Sequence, residues 1–243
     1  MQIPSNPQRS TSLVETFLDI DDAPDLFAGL DADARAEVLA IGAMRRFGRG
    51  ETVFGQGREH SGVLVILDGE VRSYYLSPLG REITLAYWSR GHFVGGPEIF
   101  GRGVHSWSGV ATRDSELLFL SGKAIRTLAL KQPQFSLNVI EALVFKGKCF
   151  SALLQLLGTR SSRALLAHMI LILGRSVAAG GADRVTLDVR YSQEELAKMI
   201  GATRQWVATS LARMRQAGLI EIADGYITIL SARALQAYAD LDG

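Results

Sequence analysis

The stretch from Tyr191 to Ile220, YSQEELAKMIGATRQWVATSLARMRQAGLI, restricts the possible folds more than any other part of the chain. Ser192 is suited to cap a helix, and Glu195 stands three residues on, where a capping box places its carboxylate. Leu196, Met199 and Ile200 fall on one face of that short helix. Gly201 follows, at the tight bend that two such helices need. Thr203 can cap a second helix, whose Val207, Leu211 and Met214 face back onto the first. Gly218 closes it, and Asp224-Gly225 lies between two β-prone runs as a hairpin turn. Helix, turn, helix and hairpin in that order predict a winged helix-turn-helix.

Such a second helix fits a major groove with its first residues toward the base edges. Thr203, Arg204, Gln205 and Thr209 are therefore expected to read bases, the arginine forking onto guanine and the glutamine onto adenine. Ser192, Gln193 and Lys198 are expected at phosphates, and Trp206 is expected to pack against the first helix. The formal net charge of +1 offers no general attraction to a polyanion. Binding would rest on local charge: Lys198, Arg204, Arg213 and Arg215 against Glu194 and Glu195.

At 243 residues, 47% hydrophobic and 21% charged, the chain can fill two folded domains. Residues 1–25 are polar, then acidic, and predict a mobile arm leading into a helix capped at Asp31 and running through DADARAEVLAIGAM. From Met44 short alternating runs are punctuated by glycine, with turns at Asp68-Gly69 and Pro78-Leu79-Gly80. This predicts an antiparallel jelly roll within residues 26–133. Residues 134–158 read as a long helix on which Ile140, Leu143, Gly147, Phe150, Leu154 and Leu157 recur in steps of three and four. That is the seam of a paired helix. Val144, Leu153 and Leu156 widen it, so the helix should touch both a partner and its own domain. Gly158-Thr159 reads as a hinge into a second domain over 159–243.

A single cysteine, Cys149, excludes a disulfide within the chain and any cysteine-cluster metal site. No secretory leader and no apolar run of about 18 residues is present, so a cytoplasmic protein with no membrane contact is expected. HExxH, GxSxG and GxxxxGK[ST] are all missing, and no catalytic role is expected.

In order, these parts resemble the Crp/Fnr superfamily of bacterial transcription regulators. The resemblance covers nearly everything after residue 25. Its most specific pieces are FGRGETVFGQG at 47–57, VLVILDGEVRSYY at 63–75, GHFVG at 91–95 and the helix-turn-helix itself. It implies an α+β fold: an N-terminal β-roll of the cyclic-nucleotide-binding type, a long dimerisation helix and a C-terminal winged helix-turn-helix. It also implies a homodimer on a palindromic double-stranded DNA site, a small effector held in the β-roll, and contact with RNA polymerase if the outcome is activation.

Relatives that bind cyclic AMP carry a glutamate for the ribose, then Arg-Ser for the cyclic phosphate. Aligned from Gly91, these positions fall on Gly96, Ser106 and Trp107, and the adenine contacts fall near Lys148 and Cys149. Glu98 or Arg102 takes over if the register slips. A cyclic phosphate without an arginine is poorly compensated. The expected effector is therefore not cyclic AMP but a smaller or less polar ligand, or none in a closed pocket. An iron–sulfur cluster is closed off by the cysteine count. Haem stays open as a cofactor through His60, His92, His105, His168 or Cys149, and Cys149 beside Lys148 also suits redox sensing. The alternative reading is a β-roll interaction or regulatory module that does not act on DNA.

Overall fold

The computed structural model describes residues 24–78, 80–96, 98–175 and 182–240. The expected arm lies outside the described residues as far as residue 23.

Helix α1 (Ala32–Ile41) starts at Asp31, whose carboxylate accepts the Ala34 N–H at 2.8 Å. It ends earlier than the sequence suggests. Gly42 breaks it, and Ala43–Phe47 instead form strand β1, paired antiparallel with a later strand from Ala43↔Phe119 to Phe47↔Ser115. Long-range pairing overrides helical propensity here.

Seven further strands complete the β-roll: β2 (Thr52–Phe54), β3 (Gly62–Asp68), β4 (Glu70–Leu76), β5 (Glu82–Ser89), β6 (Phe93–Val94), β7 (Ser108–Ala111) and β8 (Ser115–Ser121). They form two four-stranded sheets, ordered β1-β8-β3-β6 and β2-β7-β4-β5. The near-continuous apolar run of β3 follows from its position. Leu64 and Ile66 face the interior with Val71, Ala86, Trp88 and Leu117. Val63 and Val65 face the other way, onto Leu26, Val38, Leu128 and Phe135. A strand covered on both faces loses polar alternation.

Helix α2 (Gly122–Lys131), capped by Ser121, and helix α3 (Pro133–Thr159) carry the chain out of the roll. Proline in the first turn of α3 costs no hydrogen bond. The helix runs through the expected hinge and ends at Arg160. Its inner face buries Phe135, Asn138, Ala142, Phe145 and Cys149. The Asn138 amide donates to the carbonyls of Leu26 and Ala28 at 3.0 and 2.7 Å, tying α3 to the segment before α1.

The C-terminal domain holds α4 (Ser162–Arg175), β9 (Val185–Thr186), α5 (Gln193–Ile200), α6 (Arg204–Gln216), β10 (Ile220–Ala223), β11 (Tyr226–Ile229) and α7 (Ala232–Asp240). One cluster joins Leu166 and Ile170 of α4, Leu196 and Ile200 of α5, Val207, Leu211 and Met214 of α6, and Ile227 and Ile229 of the wing. The wing turn has Asp224 at φ 50° and Gly225 at φ 81°, the left-handed pair that a two-residue hairpin demands. Helix α7, which no sequence signal singles out, closes this core with Leu235 and Ala239. Among the described residues no helix is long and apolar enough to cross a membrane.

Candidate nucleic-acid interface and sensor chamber

The capping box forms at the start of α5. Ser192 Oγ accepts the Glu195 N–H at 3.1 Å, while the Glu195 carboxylate accepts from the Ser192 N–H at 2.8 Å and its hydroxyl at 2.7 Å. The Ser192 hydroxyl is thus committed to the fold, which leaves the helix's own first amides and Gln193 to face an anion. Gly201, at φ 66°, lies between α5 and α6 in the left-handed region. Thr203 caps α6 by accepting the Trp206 N–H at 3.2 Å.

On α6 the two faces divide cleanly. Val207, Leu211 and Met214 are buried, while Thr203, Arg204, Gln205 and Thr209 are exposed. Thr209 donates its hydroxyl to the Gln205 carbonyl at 3.0 Å, which fixes its rotamer and leaves its oxygen free to accept. Arg204, Arg213 and Arg215 have no ion-pair partner among the described residues. Trp206 packs partly on the domain core, and its remaining surface lines a shallow notch with Thr203, Gln205, Thr209, Ser210 and Arg213.

Lys198 behaves differently from the sequence expectation of a free phosphate contact. Its Nζ lies 3.3 Å from Glu82 of β5 and 3.8 Å from Glu194. Arg72 of β4 reaches the same Glu82 carboxylate at 3.1 Å and Thr84 at 3.1 Å. Around this network Tyr87 and Tyr191 pack against the C-terminal core, and burial raises the pKa of both phenols. Ile83 lies under Gly201, 3.5 Å from where a Cβ would stand. The β4–β5 hairpin therefore grips the helix-turn-helix at its turn. Arg72 and Glu82 carry no motif that marks them for this role; only the tertiary approach reveals it.

In the β-roll the expected effector residues do not assemble into one chamber. Trp107 meets Phe150 edge-on at 5.6 Å between centroids, and the fully buried Cys149 joins the same apolar cluster with Phe145. Gly96 lies beside His60, whose ring is 3.5 Å from a notional Cβ. Glu98, Ser106 and Lys148 are exposed at the surface.

The histidines, met in the sequence only as scattered candidates, partly cluster. His60 and His105 stack at 4.4 Å between centroids, and His105 donates from Nδ1 to the Gly95 carbonyl. The gap between these two rings is too small for a haem. Neither ring nitrogen of His60 has a hydrogen-bond partner among the described residues. His92 packs between Trp88 and Phe145. Lys146 sets its ammonium 3.3 Å from the centre of the Trp88 ring. Burial lowers the pKa of all three histidines, that of His92 to about 4.

On α3 the expected seam is split. Ile140, Leu143, Gly147 and Leu154 are exposed, whereas Phe150 is turned toward Trp107 and the roll. The exposed stripe continues through Leu137, Val144 and Ser151. The side chain of Leu157 lies outside the described residues.

Comparison with known proteins gives matches in both halves. The cyclic nucleotide-binding domain model matches residues 44–132, and the Crp-like helix-turn-helix domain model matches residues 164–238. The chain is 27% identical over 214 residues to the "Probable transcriptional regulator flp" of Lacticaseibacillus casei, covering 88% of this chain and 95% of that one. It is 26% identical over 214 residues to the cyclic AMP receptor protein of Thermus thermophilus, covering 88% and 96%. The solved structure of the c-di-GMP responsive global regulator CLP of Xanthomonas campestris shares the fold, with a TM-score of 0.72 at 18% identity over 83% of this chain and 100% of that one.

Proposed function

The chain belongs to the Crp/Fnr superfamily of DNA-binding transcription regulators, and from that premise we propose that it works as a cytoplasmic homodimer on a palindromic operator, with Arg204, Gln205 and Thr209 reading bases. The outer face of α6 carries this reading. Its three polar side chains stand exposed in the first turns of a helix whose opposite face is locked into the core. Arg204 supplies a guanine fork, Gln205 pairs with adenine, and Thr203 and Gln193 border the phosphates. Two copies would meet along the exposed stripe of α3, bringing their recognition helices to successive major grooves.

The signal for such a dimer enters through the β-roll, and the reading excludes cyclic AMP. Gly96 offers no side chain, Ser106 and Glu98 lie at the surface, and the apolar space is occupied by Trp107, Phe150 and Cys149. At the aligned position Ser106 offers no guanidinium to a charged cyclic phosphate. A small or weakly polar effector that displaces Trp107 from Phe150 suits the site. If the outcome is activation, RNA polymerase is the further partner. No catalytic role is assigned.

Selection from a random duplex library with wild type and Arg204→Ala tests the DNA reading. We expect a palindromic motif with a guanine in each half-site. Arg204→Ala should weaken it by about 1–3 kcal/mol and relax that base alone. Equal motifs and stringency from both proteins would remove Arg204 from base readout. Failure to recover any motif would favour the interaction module.

A further inference from the structure

We propose that Trp206 is a specificity-determining residue and that the notch beside it receives the 5-methyl group of a thymine. The inference rests on α6 entering the major groove and adds to it a base contact that Arg204, Gln205 and Thr209 do not make.

The notch has a clear construction. Trp206, Ser210 and Arg213 follow one another at helical spacings of four and three along one edge of α6, and Thr203, Gln205 and Thr209 complete the lining. Ser210, small and 6% exposed, lies in the helix between Trp206 and Arg213 and adds little bulk to the lining. One wall of the notch is aromatic and its rim is polar. Part of the indole packs on the domain core, and the remainder is left facing the notch.

The second observation is the indole N–H. Trp88, the buried tryptophan of the roll, donates its Nε1–H to Ser73 Oγ at 3.1 Å. Trp206 has no acceptor for its own among the described residues. An indole thus offers the groove an apolar surface and one unused donor. Thymine presents the matching pair on its major-groove edge, a C5-methyl group and the O4 acceptor. Cytosine lacks the methyl and presents a donor at N4, which an N–H cannot satisfy. The notch therefore prefers thymine to cytosine, with Arg213 placed for the neighbouring phosphate.

Deoxyuridine isolates the methyl group because it changes nothing else on the base. The operator recovered by selection is prepared with each thymine replaced singly by deoxyuridine, and binding to full-length wild type is measured by fluorescence anisotropy. At one thymine position per half-site, affinity should fall about three- to fivefold, the loss expected for one methyl group left in water. At that position Trp206→Ala, checked for fold by circular dichroism, should bind thymine and deoxyuridine duplexes equally. Trp206→Phe, which keeps an apolar ring, should retain part of the preference. Equal binding of wild type to every deoxyuridine duplex overturns the proposal, as does a methyl preference that persists in Trp206→Ala. A half-site without thymine overturns it as well. If no site can be selected at all, the groove reading of α6 fails instead, and that outcome is separate from these.

Discussion

His92, His60 and His105 show what burial does to single residues. His92 is 2% exposed, and burial followed by the charge of Lys146 holds its pKa at about 4, against 6.5 for the free side chain. Burial is also the main cause of the lowering at His60 and His105. Above pH 6.5 neither folded nor unfolded chain binds these protons, and stability is at its full value. As pH falls from 6.5 toward 4 the unfolded chain takes up protons that the folded one refuses, so stability declines; below about 4 the His92 part is spent. His92 alone is worth about 3 kcal/mol over that window. The urea midpoint should drop steadily between pH 7 and 4.5, and His92→Phe should flatten part of the slope. A midpoint constant over this range would mean that the rings are hydrated. The caps Asp31, Ser192 and Thr203, by contrast, are legible directly, because a cap is a bond between residues three apart.

At the scale of elements, α3 is the instructive case. Its apolar residues nearly encircle it, so spacing alone admits two seams offset by part of a turn. The roll decides between them. By packing on Phe145, Cys149 and Phe150 it leaves Leu137, Ile140, Val144, Gly147, Ser151 and Leu154 outward. Val144→Glu should therefore yield monomers by analytical ultracentrifugation that keep the wild-type circular dichroism spectrum. Phe150→Glu should instead press a carboxylate against Trp107 and destabilise the roll by about 2 kcal/mol or more. A Val144→Glu protein that stays dimeric would place the seam on another face.

For the molecule as a whole, the contact between β5 and α5 joins the β-roll to the helix-turn-helix. Glu82 pairs with Lys198, the cation expected at a phosphate, and Arg72 holds the carboxylate in position. Glu82→Gln should release Lys198 to DNA. Two more phosphate contacts per dimer would steepen the plot of log affinity against log salt by about 1.8, at about 0.9 per contact. Lys198→Ala in the same background should restore the shallower slope. An unchanged slope in Glu82→Gln would mean that Lys198 never reaches the backbone.

Local chemistry made much of this protein readable from its sequence. The capping box, the left-handed glycine of the turn, the Asp-Gly hairpin and the two hydrophobic periods depend on residues a few positions apart, and their physics is complete within a short segment. Tertiary structure decided what depends on residues distant in the chain. It turned Ala43–Phe47 into a strand because Ser115–Phe119 was there to pair with it. It chose which side of α3 the roll would cover, stacked His60 on His105, and set Glu82 against Lys198. In each case the deciding free energy lies in desolvation and in contact with a surface that exists only once the chain has folded, and no local pattern encodes which surface that will be.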